Sequence, residues 1–145
     1  MLAAAFVVSA GRAARLAATR RAGLAANHGF RHAARVPYDE VLAARIRALV
    51  GDEDGIREQR MFGGLAFLLH GNMAVAASGQ GGALIRVDPA DSDHLVEESA
   101  AELMVMRGRP MPGWLRLDAE SLREDEELAV WVERGLAFAR SLPPR

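Results

Sequence analysis

Apolar side chains recur at helical spacing in two segments of the chain. Leu42, Ile46 and Leu49 follow one another at steps of four and three residues, and Asp39 before them is a good N-cap, so a helix is predicted there. A second apolar stripe predicts a last helix that Pro143-Pro144 terminates. Its members are Leu128, Trp131, Val132, Leu136 and Ala139, with Phe138 and Leu142 at its margin.

Between these helices the apolar period shortens to two. Residues 65–70, 73–77 and 83–87 alternate, and Ile56–Met61 is a weaker candidate strand before them. Residues 65–70 are apolar on both faces, as in a strand that is covered on both sides. Gly63-Gly64 is predicted to be a bend or bulge, and the tight-turn signals at 70–72 and 79–82 indicate an antiparallel meander.

The second half of the pattern adds one helix and two strands. Asp88-Pro89 opens a short acidic helix, because it combines a cap acceptor with a proline at the first helical position. Residues 103–106 and 114–117 are predicted strands, and Ser121-x-x-Glu124 has the form of a capping box. The order predicts an α+β domain: an antiparallel sheet of about five strands with helices packed on it, arranged as helix, three or four strands, helix, two strands, helix.

Charge divides the chain of 145 residues into two unlike parts. Six of its 18 cationic side chains, all arginine, lie in residues 1–38, where no acidic residue occurs. The other 12 cations stand against 19 acidic residues, so the rest of the chain carries a net charge of −7. Residues 1–36 form an alanine- and arginine-rich leader with few large apolar side chains, which we expect to be disordered. Residues 37–145 are the predicted domain.

Several origins of the leader stay open. Val8-Ser9-Ala10 resembles a signal-peptidase site, but no positive charge precedes it, and Arg20-Arg21 lacks the apolar run of a twin-arginine signal. An acid-free, arginine-rich leader also suits a transit peptide in a eukaryote. Alternatively the leader is a start-site artefact, because the absence of lysine indicates GC-rich coding DNA and Val36 is a candidate bacterial start. We expect a bacterial protein of the cytoplasm.

Missing residue types narrow the chemistry. The chain has no cysteine, which excludes disulfides, thiolate zinc or iron–sulfur sites and a cysteine nucleophile. No apolar run is long enough to span a membrane. His94 and Glu97 have a helical ligand spacing but no third ligand, and no serine stands in a nucleophile elbow. We therefore predict no catalytic residue, no metal site, no cofactor and no membrane partner.

Four motifs of the patterned region resemble the TfoX N-terminal domain family. They are Arg60-Met61-Phe62-Gly63-Gly64-Leu65-Ala66-Phe67, Gly71-Asn72-Met73-Ala74, Gly108-Arg109-Pro110-Met111-x-Gly113-Trp114 and Trp131-Val132-x-x-Gly135-Leu136-Ala137-x-Ala139. The resemblance implies an α+β fold and a regulatory role, since founding members regulate natural competence with a cAMP-responsive transcription factor. Those members carry a second, helical domain, and we expect this chain to be a single-domain member without the competence role.

The first candidate binding site is the glycine motif, which comprises Arg60, Met61, Phe62, Gly63 and Gly64. Paired glycines let a ligand or a partner strand approach the backbone closely. A phosphate cradle is disfavoured, because such loops lead into a helix and this one leads into a strand. The alternative is a bend in the sheet with Met61 and Phe62 packed in the core.

Asn72, Arg109 and Trp114 are the remaining candidate binding residues. Arg109, together with Arg60 and Arg86, is the best candidate for binding an anion. The alternative for Arg109 is a salt bridge or carbonyl contact that fixes its own loop. Trp114 stands in an apolar period, so a place in the core is the alternative to a stacking surface.

Two functions are compatible with these residues. The first is a non-catalytic regulatory module that binds a protein partner; the net charge of −7 argues against direct binding of nucleic acid by residues 37–145. The alternative is a protein that binds a small anion, or an unrecognised enzyme, with a pocket between the meander and the last helix near Arg60, Asn72 and Arg109. Homodimerisation through an exposed sheet edge is a further alternative.

Overall fold

The described chain runs helix, four strands, helix, two strands, helix. The structure is a computed structural model that describes residues 37–145, and the predictions for the leader fall on residues 1–36, outside the described residues. The helices are α1 (Glu40–Val50), α2 (Ser92–Glu98) and α3 (Asp125–Ser141), and the strands are β1 (Ile56–Met61), β2 (Gly64–Leu69), β3 (Asn72–Ala77), β4 (Ala83–Arg86), β5 (Glu102–Met106) and β6 (Arg109–Leu117). Short 3-10 turns, Pro89–Asp91 and Glu120–Leu122, precede α2 and α3.

All six strands join one antiparallel sheet in the order β1-β2-β3-β4-β6-β5. The α+β prediction is therefore confirmed. The sheet has slightly more strands than expected, because the weaker candidate Ile56–Met61 pairs with β2 along its whole length. β6 returns between β4 and β5, which leaves β1 and β5 as the two edges.

Three hairpins reverse on two residues, of which the second is glycine. Phe62-Gly63, His70-Gly71 and Arg107-Gly108 all have positive φ angles, between 50° and 85°. Type I′ turns require positive φ at both central residues, and their twist matches that of paired strands. The first and third turns correct the sequence prediction, because the chain reverses at Phe62-Gly63 rather than bending at Gly63-Gly64, and β6 begins at Arg109 rather than at Trp114.

Two prolines lie inside β6 without breaking the sheet. Only residues 114–117 of β6 pair with β4, whereas Pro110 and Pro112 lie in the part that has β5 as its one neighbour. The side of β6 that faces away from β5 therefore needs no N–H donor at these positions. This is why a segment that looks like a loop in the sequence is a strand in the structure.

The helices cover one face of the sheet and enclose the main core. The apolar stripe of the last helix is confirmed, because each of its five members is at most 3 % exposed. In α1, Leu42 and Ile46 are buried as predicted, but Leu49 is 41 % exposed and Val50, four residues after Ile46, packs in its place. Within residues 37–145, no helix combines the length and the apolar run that crossing a bilayer requires.

The start of α3 differs from the prediction. Asp125 is its first residue and Glu124 its N-cap, so Ser121-x-x-Glu124 does not form a capping box. Instead the Oδ1 atom of Asp118 accepts a hydrogen bond from the N–H of Ser121 at 2.8 Å, at the start of the preceding 3-10 turn. That turn places Leu122 in the core before the helix begins.

Candidate functional site

The face of the sheet opposite the helices carries a second apolar cluster, and we call this surface the outer face. Its buried members are Ala66, Leu68, Met73, Ala76 and Leu84, against which Met61, Met104 and Trp114 pack half-buried. Every strand contributes at least one of these side chains, and no helical residue of the described chain belongs to the cluster. Both faces of the sheet are therefore apolar, which fits the run of apolar residues in β2.

The sheet curls around this cluster. Met61 lies on β1 and Met104 on β5, which are opposite edges of the sheet. Five strand spacings of about 4.8 Å would separate these edges by about 24 Å in a flat sheet. Both side chains nevertheless line one small cavity, so the outer face is concave.

That cavity measures about 70 Å³ and lies beside the β1–β2 turn. Its apolar lining includes Met61, Met73, Leu84 and Met104. The backbone of the β1–β2 turn touches the end of β3 and the loop after it. A Cβ on Gly79 would come within 2.7 Å of the carbonyl oxygen of Gly63, and a Cβ on Gly64 would overlap the carbonyl oxygen of Ala77. The glycine motif therefore serves a close contact within the domain itself.

Phe62 projects from the same turn into solvent. Its side chain is 79 % exposed and its φ angle is 53°, a left-handed conformation that costs about 1 kcal/mol for a residue with a Cβ. The expectation that Phe62 packs in the core is wrong, whereas Met61 is half-buried in the second cluster. A large aromatic side chain that is both exposed and held in an unfavourable conformation is a candidate contact residue.

The outer face also differs in charge from the rest of the domain. Residues opposite each other in an antiparallel pair share a face, and Arg57 stands opposite Leu68 while Arg116 stands opposite Leu84. All but two of the acidic residues lie outside the strands, and of those two only Glu102 shares this face. The helices and loops thus carry 17 of the 19 acidic residues against seven of the 12 arginines, and the outer face is apolar with arginine at its sides.

A comparison with known protein families decides the family of the chain. A family model described as the TfoX N-terminal domain matches residues 48–139. The chain belongs to this family. The matched residues begin near the end of α1, include all six strands, and end within α3. No curated protein matches the chain.

This TfoX N-terminal domain brings five of its eight predicted binding residues together at the outer face and its β1–β2 turn. Met61, Phe62 and Gly64 line the small cavity, and Trp114 packs against the same cluster. Gly63 completes the turn beside them. Trp114 is half-buried there, whereas Trp131 is in the main core as predicted.

The other three predicted residues lie elsewhere in the domain. Arg60 stands opposite Leu65, a residue of the main core, so its side chain shares the helical face at edge β1. Asn72 is buried at the other end of β2 and donates its Nδ2 hydrogen to the Pro143 carbonyl oxygen at 2.9 Å. Arg109 is exposed beside the β5–β6 turn and has no hydrogen bond or ion pair to any described residue.

The structure does not bring Arg60, Asn72 and Arg109 together around one pocket. The register separates Arg60 and Asn72 by the length of β2, about 13 Å for four residues. The last helix also leaves no space on the meander at its midpoint, because a Cβ on Gly135 would overlap the carbonyl oxygen of Ala74. Arg109 forms no bond to a described residue that would fix its loop, and no other predicted anion-binding residue lies with it in a pocket.

An open groove of about 530 Å³ runs between α2 and the second half of α3 in this TfoX N-terminal domain. Its rim is polar, with Asp88, Asp91 and Arg134 among its residues. His94 lies there too, and its Nε2 atom is 3.1 Å from a carboxylate oxygen of Glu98 on the solvated surface of α2. Among the described residues no group of three histidine or acidic side chains is arranged to hold a metal ion.

Sequence reasoning missed four contributors to the outer face: Met73, Leu84, Met104 and Arg116. All four lie on strands, in the phase that alternates with the main core. The signal was present in β2, whose residues are apolar on both faces, and in the methionines of neighbouring strands. The apolar pattern of β2 indicated that both faces of the sheet are buried there. The pattern of residues along the chain cannot show that the sheet curls and brings Met104 to Met61.

Proposed function

We propose that this TfoX N-terminal domain is a non-catalytic regulatory module that docks a protein partner on its outer face, with Phe62 as the central contact. The observation that carries the proposal is that Phe62 is 79 % exposed in a turn that disfavours it. Asparagine, aspartate or glycine would relieve the strain at that position. The phenylalanine is therefore costly for the fold alone, and a contact with a partner accounts for its presence.

The partner is proposed to be a protein segment with an apolar side chain flanked by carboxylates. The apolar side chain would pack on Phe62 and on the methionines of the outer face, whose flexible side chains adapt to different shapes. The carboxylates would meet Arg57 and Arg116 at the sides of the cluster. An aromatic anchor of this kind contributes about 2 kcal/mol or more when it is buried at the centre of an interface.

A small-molecule site on the outer face is less well supported. Pockets for such ligands measure roughly 300 to 1,000 Å³, and the cavity beside Phe62 measures about 70 Å³. The cavity is large enough for the end of one side chain, which is what a protein partner would insert. A bacterial and cytoplasmic setting belongs to the same proposal, supported by the arginine-only cations of the chain and by its family.

The substitution Phe62→Asn tests the proposal, because it is expected to change stability and binding in opposite directions. Asparagine tolerates the left-handed turn, so unfolding should need about 0.5–1 kcal/mol more free energy than in the natural chain. Loss of the aromatic contact should weaken partner binding by about tenfold or more. The full chain would first capture partners from the native host, and each purified partner would then be titrated against both proteins while denaturant unfolding reports stability.

Arg107→Asn is the matched control, since Arg107 has the same φ angle of 53° in another two-residue turn. It should gain similar stability and keep the natural affinity. If every captured protein binds Phe62→Asn as tightly as the natural chain, the outer face is not the docking surface. Retention of nucleic acid with a steep dependence on salt, in place of a protein, would also contradict the proposal.

A further inference from the structure

A shallow cleft of about 290 Å³ lies at the opposite end of the sheet from Phe62. Its two charged lining residues are both arginines: Arg86 at the end of β4 and Arg145 in the tail that follows α3. The rest of the lining is Asn72, Leu142, Pro143 and Pro144. No carboxylate side chain of the described residues lines the cleft, although the domain has a large excess of acidic residues.

The tail that carries Arg145 is held against the sheet by two hydrogen bonds. The N–H of Arg145 donates to the carbonyl oxygen of His70 at 2.8 Å. The buried amide of Asn72 donates to the carbonyl oxygen of Pro143 at 2.9 Å. Gly71 makes this contact possible, because a Cβ there would lie 2.8 Å from a backbone oxygen of Arg145. The backbone of Arg145 is therefore positioned independently of its side chain.

Arg86 is also held in position, but by aromatic rings instead of by an acid. Its guanidinium carbon lies 4.9 Å from the ring centroid of Trp114 and 5.5 Å from that of Phe138. It has no hydrogen bond or ion pair to a described residue, whereas Arg45, Arg47, Arg123 and Arg140 each pair with a carboxylate. A half-buried guanidinium thus keeps its donors available towards the cleft.

Two positive charges line this cleft. Burial lowers the pKa of Arg86, and the nearby charge of Arg145 lowers it further. Both effects disfavour the charged form of the side chain, and an anion placed between the two guanidinium groups would reverse both. Such pairs of arginines are the usual means by which proteins bind oxyanions, because each guanidinium offers several donors in a fixed plane.

We propose that the cleft formed by Asn72, Arg86 and Arg145 binds a small phosphate monoester or free phosphate. A doubly charged tetrahedral anion matches two guanidinium groups better than a single carboxylate does. The apolar side chains of Leu142, Pro143 and Pro144 offer a surface for the organic part of a monoester. The two arginines lie at the other end of the sheet from Phe62, although Trp114, whose ring Arg86 contacts, also packs against the cluster of the outer face. The proposal does not rest on the docking function proposed for that face.

The test uses the full chain and inorganic phosphate as the probe. Thermal unfolding is followed while phosphate replaces chloride at constant ionic strength, and the dissociation constant is measured from the NMR shift of the Trp114 indole N–H. The unfolding midpoint should rise with phosphate, because a ligand that binds the folded state stabilises it. A second titration with glycerol phosphate distinguishes the two sources of the anion: tighter binding than inorganic phosphate identifies a monoester site.

Arg86→Gln should weaken phosphate binding about tenfold or more, the expected effect of removing one charge-assisted contact. Arg145→Gln should weaken it as well, and it guards against misfolding of the first variant because the backbone bond to His70 is kept. Arg60→Gln is the matched control, an exposed arginine at the other end of the sheet, and should bind like the natural chain. Equal binding by all four proteins, or equal stabilisation by chloride and phosphate, overturns the proposal.

Discussion

Close contacts between glycine backbones hold the β1–β2 turn against the loop that follows β3. A Cβ on Gly64 would overlap the carbonyl oxygen of Ala77, and it would lie 3.1 Å from the backbone nitrogen of Gly79. Both obstacles are backbone atoms in paired or packed segments, so neither can move aside without displacing a strand. Gly81, in the same loop, has a φ of 90° but no atom within 4 Å of the added Cβ.

Gly64→Ala is therefore expected to lower the free energy of unfolding by about 2–4 kcal/mol, because overlap with backbone must be relieved by moving β2 or β3. Gly81→Ala should cost only about 1 kcal/mol, the strain of a left-handed alanine in open space. Denaturant unfolding of the two variants measures the difference. Equal losses would mean that conformation alone, and not the close contact, makes glycine necessary at Gly64.

At the scale of single elements, α3 shows how a correct helix prediction can have a wrong start. The apolar stripe identified the helix, because burial of one face requires the same spacing in any packing partner. The motif Ser121-x-x-Glu124 also suits an N-terminus, but the chain needs a 3-10 turn first to bring Leu122 into the core. The side chain that accepts a hydrogen bond at the start of this turn is therefore that of Asp118, three residues before Ser121.

Asp118→Ala is expected to lower the free energy of unfolding by about 1 kcal/mol, the usual cost of losing a side-chain cap. Ser121→Ala should change it by less than about 0.5 kcal/mol, because the hydroxyl makes no hydrogen bond to a described residue. Denaturant unfolding of the two variants shows whether the Asp118 hydrogen bond or a capping box at Ser121 stabilises this segment. A larger loss at Ser121 would restore the capping-box interpretation.

For the whole domain, ion pairs join elements that are distant in sequence. Arg45 of α1 donates to Asp125 at 2.9 Å and to the carbonyl oxygen of Leu122, and so ties α1 to the start of α3. Arg47 binds both carboxylate oxygens of Glu58 and ties α1 to β1. The hydrogen bond from Arg47 lowers the pKa of Glu58 below its ordinary value of 4.5, although burial acts in the opposite direction.

This pair makes part of the stability depend on pH. Because the pKa of Glu58 is lower in the folded state, its stabilisation is complete above pH 4.5 and is lost as the pH falls below that value. Glu58→Gln should therefore be less stable than the natural chain at pH 7, by a small amount because both side chains are partly exposed. The difference should shrink as the pH falls below 4.5 and Glu58 becomes protonated in the folded state; a difference that keeps its full size in acid would have another cause.

The separation of charge over the molecule has a consequence for partners. If the net charge of −7 were spread evenly over the surface of the domain, the domain would repel any acidic partner. In the fold, all but two of the acidic residues lie on helices and loops, while Arg57 and Arg116 stand beside the apolar outer face and Arg86 lines the cleft. Net charge alone is thus a poor guide to what each surface can bind.

Most of the helices and strands, their order and the fold class could be predicted from the pattern of apolar residues alone. Helical and alternating periods depend on which side chains must be buried, and that requirement is local to each element. For this reason the last helix, predicted from Trp131 and Leu136, and the strands predicted at residues 65–70 and 83–87 are confirmed. They also identified β2 as covered on both faces, although not what covers it.

Which residues distant in sequence come into contact could be seen only in the folded domain. The curl of the sheet brings Met61 to Met104, the return of β6 places Trp114 opposite Arg86, and the tail beyond α3 carries Arg145 to Asn72. The exposure of Phe62 was decided there too, because a turn residue can lie in the core or in solvent according to how neighbouring segments pack. Such meetings depend on register, twist and topology, which are properties of the assembled sheet and leave no periodic trace in any single segment.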